Sequence, residues 1–427
     1  MIGASIQKSP PKNVILPHFL AGSVFFILLS VMTLLSSEIL SVYFYSPRLL
    51  AITHVITLGW ITMFIMGSLY QLIPVIFESR LFSYKLAIIN FWFLTVGIAG
   101  FIFSFWISSF MILLPLFSTV VYLSVVLFCI NIAFSYRNAE KKDISGRFII
   151  TAVFWLFITV LLGLLLAFNY RFGWIDNSNF KYLKIHATFG LLGWFLQLVM
   201  GVAITLIPMF LVSHKLRFKL LQYTYYALNA GIILVYIYWQ FVPEDVILYS
   251  GSFSVVLSIG VFLLFIYDSF KKKLRKLDIG MRHSMLSFLY LILPVLMGIL
   301  IVLSSNTTSN LINKAILLYG LSAFFAFFTN LILGQAFKTI PFIVWLHTYQ
   351  KFVGKAKTPM PRELYNEKIA LAQFYIFHIM LVCLMAGIIF SELILIRAGA
   401  IFMMITALLF SINIFKIIFH KNKIVEV

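Results

Sequence analysis

Charge is scarce in this chain: Asp, Glu, Lys and Arg together make up 11% of its 427 residues. Soluble domains carry about 25%, so no ordinary water-soluble fold fits. Carboxylates are the scarcest, 13 against 32 Lys and Arg, and Glu38, Glu78, Glu244, Asp245 and Glu392 fall near the ends of apolar stretches or between them. A proton pump or proton-coupled transporter needs an ionisable side chain at membrane depth, and no carboxylate or lysine stands near the middle of any apolar stretch. Cysteine is nearly absent. Cys129 and Cys383 each sit inside an apolar run, which leaves no disulfide framework and makes both simple core residues. Long polar stretches are missing too: the longest connection runs from about Thr348 to Glu367, where Pro359 and Pro361 disfavour helix.

What is present is apolar, 62% of the chain, including 46 Phe. Crossing a hydrocarbon core roughly 30 Å thick takes about twenty apolar residues. Stretches of that kind start near residues 18, 50, 84, 110, 148, 185, 219, 246, 283, 315, 369 and 394. The chain therefore reads as an all-α polytopic membrane protein with twelve transmembrane helices embedded in a lipid bilayer.

The net charge of +19 is distributed along the chain in a way that excludes nucleic acid as the partner. With the N-terminus inside, only Arg48, Arg171, Lys181, Lys184, Lys314 and Arg397 fall on the outer side, which leaves 26 of the 32 basic residues in the termini and even-numbered connections. That asymmetry is the positive-inside rule. It places both termini in the cytoplasm and suits a bacterial inner membrane. The polar start through Pro17, with Lys8 and Lys12 and no small-residue cleavage site, reads as the lead-in to a retained first helix. The outer connection from Phe168 to Lys184 carries Arg171, Trp174 and Asp176, a mixture suited to the lipid interface or to a partner's surface.

One motif occurs three times. Met66-Gly67 leads to Leu72-Ile73-Pro74, Met200-Gly201 to Leu206-Ile207-Pro208, and Leu333-Gly334 to Thr339-Ile340-Pro341, with the prolines 134 and 133 residues apart. Self-similarity at a fixed period marks a repeated unit. The period predicts a single membrane domain of three pseudo-symmetric four-helix repeats, about 14–145, 146–280 and 281–420. Leu58 to Trp60 recurs as Leu192 to Trp194. The pairs Gly59/Gly67 and Gly193/Gly201 are eight residues apart, close to two helical turns, so each pair lies on one face and lets helices two, six and ten approach around a common axis.

Eight histidines occur. His18, His214, His283, His347 and His420 fall at or near cytoplasmic ends and read as interfacial residues. His54 and His186 begin the motif helices two and six, 20 and 22 residues before their prolines. Neutral imidazole suits haem iron and copper, so these two are the candidate cofactor and metal ligands, against the plainer reading that each hydrogen-bonds at the outer interface. His378 has no repeat partner and reads as a buried, hydrogen-bonded residue. Gln71, Gln197, Asn330 and Gln335 in the motif helices read either as groups orienting a ligand or as interhelical hydrogen bonds.

With twelve helices in three fours, and a histidine, glycine and proline on helices two and six, the chain resembles subunit I of the haem-copper oxidases and the related NnrS-type haem and copper membrane proteins. The resemblance implies metal ligands on helices two, six and ten: a haem ligand at His54 and a copper-type position at His186, with haem b and copper as cofactors and a redox protein or membrane subunit as partner. The departures matter as much. The histidine-to-glycine spacing at His54 differs from the family's. Tyr319 and Leu321 stand where that family has its helix-ten histidines, and helix seven, about Lys219 to Phe241, has no histidine pair. The full binuclear centre is therefore missing, which argues against oxygen reduction by the standard mechanism. A redox or metal-binding oxidoreductase-like protein, a cofactor-free assembly or structural protein, and a twelve-helix small-molecule transporter all stay open at this point.

Overall fold

The computed structural model describes residues 9–41, 45–174, 179–304 and 310–421; Lys8 and Asp176 lie outside them. Among the described residues twelve helices are long and apolar enough to cross a membrane: α1 (Lys12–Leu35), α2 (Pro47–Ile76), α3 (Tyr84–Trp106), α4 (Ser108–Arg137), α5 (Ile144–Phe172), α6 (Phe180–Leu211), α7 (Leu220–Gln240), α8 (Asp245–Lys271), α9 (Ile279–Leu303), α10 (Asn310–Phe352), α11 (Glu367–Phe390) and α12 (Leu393–Ile418). The chain is an integral membrane protein. Each start lies within six residues of the one expected from the sequence.

Capping explains where several of these helices begin. Ser46, Ser83, Asp143, Asp278 and Asn366 each accept a hydrogen bond from a backbone amide in the first turn that follows, filling donors that a helix start leaves open. Gly173, at φ 68°, ends α5 in the left-handed conformation that glycine adopts without strain. α2 ends at Ile76, just after Pro74, and α6 at Leu211, just after Pro208, whereas α10 runs on past Pro341 to Phe352. Its 43 residues exceed the length a bilayer core requires.

The motif helices depart from regular α geometry at one level. Val55–Thr62 in α2, Phe189–Leu196 in α6 and Ser322–Thr329 in α10 are π-helical, eight residues each. Each is closed by an amide bonded to the carbonyl five residues back: Met63 to Leu58, Gln197 to Leu192 and Asn330 to Phe325. Every one ends five residues before the motif glycine. Such segments are rare and collect at functional sites. With α1, these helices are the most buried spans, at 61–67% of their apolar window against 22–39% for the rest.

The chain divides into two compact units, Met1–Pro10 with Tyr70–Lys276, and Pro11–Leu69 with Leu277–Val427. Within the first, one set of contacts is made twice, 134 residues apart. Ser79 and Ser213 donate to the carbonyls of Ser135 and Ser269, and Ser124 and Ser258 to those of Asn90 and Thr224. The Phe77 carbonyl accepts the amides of Glu140 and Lys141, as the Leu211 carbonyl accepts those of Leu274 and Arg275. Glu78 and Val212 share a φ of 56°. A Cβ on Gly97 would stand 2.9 Å from Val121, and one on Gly231 2.7 Å from Val255.

The glycine faces serve a different neighbour from the one expected. A Cβ on Gly201 would meet the Phe148 Cβ at 2.7 Å, and one on Gly193 the Trp155 ring at 2.6 Å, so both glycines face α5. In the second unit Gly67 meets the His18 Cβ at 2.7 Å and Gly59 the Phe25 ring at 2.8 Å, both on α1, while Gly334 meets the His283 Cβ of α9 at 2.8 Å. Each motif helix thus uses its glycines to seat the helix that precedes it, rather than to approach the other motif helices. Beside the π segment of α2, Trp60 stacks on Phe26 at 4.3 Å and meets Phe64 and Phe410 at 4.5 and 5.4 Å, a dense aromatic core.

Candidate functional site

His54 is the residue immediately before the π segment of α2, in a helix started by the Ser46 cap and Pro47. It is half-buried. Its Nδ1 lies 2.7 Å from the Leu50 carbonyl. A carbonyl only accepts, so the proton is on Nδ1 and the lone pair on Nε2.

His186, in the first turns of α6, reaches the same state by another route. Its Nδ1 donates to the Thr159 carbonyl of α5 at 2.9 Å. Gly163, one turn further along α5, leaves the slot for the ring: a Cβ there would stand 2.9 Å from His186 Cε1. An Nδ1–H held by a carbonyl with Nε2 turned to a metal is the usual support of a ligating histidine. His54 belongs to the second unit and His186 to the first.

Among the described residues no three His, Cys, Asp or Glu side chains gather as a metal-binding group. Cys129 and Cys383 are both half-buried thiols.

The polar residues of the motif helices have distinct fates. Gln71 accepts from Ser9 at 3.1 Å, and Gln335 Nε2 donates to Ser284 at 2.7 Å, both interhelical or chain-tethering bonds. Asn330 does orient an imidazole, though that of His283, whose Nδ1 donates to Asn330 Oδ1 at 2.5 Å. Gln197 is fully buried with neither amide atom hydrogen-bonded, and the Trp194 Nε1 nearby in sequence is likewise buried without a partner. Gln197 and Asn330 occupy one register, eleven residues before their prolines.

Two histidines read as interfacial are in fact interior. His18 and His283 are both 0% exposed, because each lies on the face of its helix that meets a motif glycine. Nearness to a helix end does not distinguish a face turned to headgroups from one turned inward. A signal was available: His18 and Phe25, Phe148 and Trp155, His283 and Tyr290 are all seven apart and similarly placed ahead of the three motifs. His214 and His347 are exposed, and His420 Nε2 shares a hydrogen bond of 2.7 Å with the Tyr349 hydroxyl.

His283 has company. Its ring centroid is 6.0 Å from that of His378 on α11, the two planes 26° apart. His378 is half-buried and donates Nδ1–H to the Phe374 carbonyl at 2.7 Å. The Nε2 atoms of both are buried without a hydrogen-bond partner, as are Asn330 Nδ2, Gln335 Oε1 and both amide atoms of Gln373. Phe374, Phe377 and Tyr290 surround the pair at 4.4–5.9 Å. Compared with known proteins, the chain matches no family model and no curated sequence.

Proposed function

We propose that this protein is a haem-copper-oxidase subunit I-like membrane protein of three pseudo-symmetric four-helix repeats, which keeps redox- or metal-binding positions at His54 and at His186 and lacks the binuclear oxygen-reduction centre. The observation that carries this is the single register of the π segments in α2, α6 and α10, the helices on which the resembled family places its metals. The hydrogen bonds repeated 134 residues apart support the repeat. They also weigh against a transporter built as two six-helix halves, whose period would be about half the chain.

The residues suit a metal that asks for neutral nitrogen. His54 and His186 each hold Nδ1–H on a carbonyl, which fixes the ring and presents Nε2 as the donor. Gly163 keeps open the place of the His186 ring. A haem iron or copper ion held there would supply one-electron transfer or binding of a diatomic such as nitric oxide. The protein's own part is to orient the imidazoles and exclude water.

An absorption spectrum of the protein in mild detergent, with metal analysis of the same sample, tests the proposal. A haem band in the reduced-minus-oxidised difference, or copper lost on His54→Ala or His186→Ala, supports it. The second reading, a cofactor-free assembly or structural protein, is favoured by the aromatic core around Trp60, where packed rings fill the space beside the π segment of α2. A colourless, metal-free preparation would decide for that reading.

A further inference from the structure

Leaving a buried polar atom unbonded costs about 1–3 kcal/mol, and such atoms are sparse in folded proteins. On α9, α10 and α11 they recur: Nε2 of His283 and of His378, whose ring centroids are 6.0 Å apart, Asn330 Nδ2 in the side chain bonded to His283, Gln335 Oε1 and the Gln373 amide. These helices lie in one unit. His283, Asn330 and Gln373 are each 0% exposed. The cluster is unlike a hydrogen-bonded interhelical network, in which the same atoms would satisfy one another.

The donor set indicates what would fill it. Both Nδ1 atoms give their protons to oxygen acceptors, Asn330 Oδ1 and the Phe374 carbonyl, so both Nε2 atoms carry lone pairs. No carboxylate belongs to the cluster; Asp278, one turn toward the start of α9, is paired with Lys338. A divalent ion would bring two uncompensated charges into an apolar, aromatic surrounding, and the cost of burying charge rises steeply with its magnitude. A monovalent ion that prefers soft neutral nitrogen and low coordination number is the better match. Two rings about one linearly coordinated ion, with metal–nitrogen bonds of about 2 Å, stand roughly 6 Å apart between centroids, close to the separation present.

We propose that His283 and His378 form a copper(I) site distinct from His54 and His186, with Nε2 of each as ligands. Asn330 holds the His283 ring in the required tautomer. From the Asp278–Lys338 pair, the Ser284–Gln335 hydrogen bond continues along the α9–α10 interface to the His283–Asn330 pair, and this polar seam is the route by which the ion reaches the site. Binding displaces no proton, because neither Nε2 bears one.

The test is titration of the full-length protein in detergent with copper(I) under reducing conditions, competed against bicinchoninate. Three proteins are compared: wild type, the His54→Ala/His186→Ala double variant, and that double variant carrying also His283→Gln or His378→Phe. The double variant should keep one equivalent of copper(I), and either added substitution should lower its affinity at least a hundredfold. X-ray absorption of the loaded double variant should show imidazole scattering and no sulfur, a readout independent of how the added substitutions fold. Bound heat should be the same in two buffers of different ionisation enthalpy. The proposal is overturned if the double variant retains no copper(I), if the triple variants bind as well as it does, or if sulfur ligands appear. Loss of the His54/His186 cofactor alone leaves this site intact, so the two proposals fail separately.

Discussion

The indole Nε1 of Trp60 donates to the Thr329 hydroxyl at 3.0 Å, joining the π segments of α2 and α10 across 269 residues of sequence. Both residues are fully buried. Hydrogen bonds between membrane helices contribute about 0.6 kcal/mol on average and up to about 1.7. Trp60→Phe should therefore lower the thermal midpoint modestly, while Trp60→Ala, which also removes the rings' stacking partner, should cost about 3–5 kcal/mol. A double-mutant cycle with Thr329→Val measures the bond itself. A coupling energy of zero would mean that the contact holds nothing together.

Close helix approach predicts a sharp contrast among glycines. Gly67→Ala and Gly201→Ala force a methyl to within 2.7 Å of the His18 and Phe148 Cβ atoms, and overpacking of that kind costs about 1–3 kcal/mol. Gly260 and Gly320 have nothing within 4 Å of the same position, and alanine there should be neutral or slightly stabilising. Thermal unfolding in one detergent, followed by tryptophan fluorescence, compares all four. Equal behaviour would remove the packing argument.

The recurring contacts should also recur in energy. Ser79→Ala and Ser213→Ala each delete a hydroxyl bonded to a carbonyl 56 residues on, for an expected loss of about 0.5–1.5 kcal/mol apiece. The two losses should agree within roughly 0.5 kcal/mol and add in the double variant, since the two bonds share no partner. Unequal losses would limit the repeat to geometry.

Gly163→Ala tests His186 without touching it. The added methyl would lie 2.9 Å from Cε1 of the ring, so the imidazole must turn away from the Thr159 carbonyl. Any haem band or copper that depends on His186 should shift or fall, whereas stability should change by no more than about 1–3 kcal/mol. An unaltered spectrum and metal content, in a protein that carries a cofactor, would remove His186 from the site.

The uneven division of basic residues between alternate connections predicts that both termini lie inside. In a protein with Cys129 and Cys383 replaced by alanine, a cysteine introduced at Lys357, in the connection between α10 and α11, should react with an impermeant maleimide only after the cells are opened. Labelling of intact cells would reverse the topology.

The twelve spans were legible because hydropathy over about twenty residues is a property of local composition. The motif glycines and prolines were legible because they repeat. Which helix the glycines would face was not, since a smooth helix surface states only that something approaches. The π segments left no compositional trace: VITLGWIT, FGLLGWFL and SAFFAFFT contain nothing that would stop an α-helix. Their extra residue per turn is settled by packing against neighbours. The burial of His18 and His283 was hidden for a related reason, because a residue in the first two turns of a helix can face headgroups or interior, and only the partner glycine decides.

A π turn acts as a phase shifter. An α-helix advances 100° per residue, so the additional residue in Val55–Thr62 sets the azimuth of everything before it in α2, His54 included, relative to Pro74. Rewinding that segment as an α-helix with all of its residues kept would swing His54 by about 100° and shift it along the axis by only about 1.5 Å, one residue's rise. The segment thus governs direction far more than depth. Because α2, α6 and α10 carry the same offset at the same distance from their motif glycines, an altered phase in one of them would break the register that the three share along the sequence.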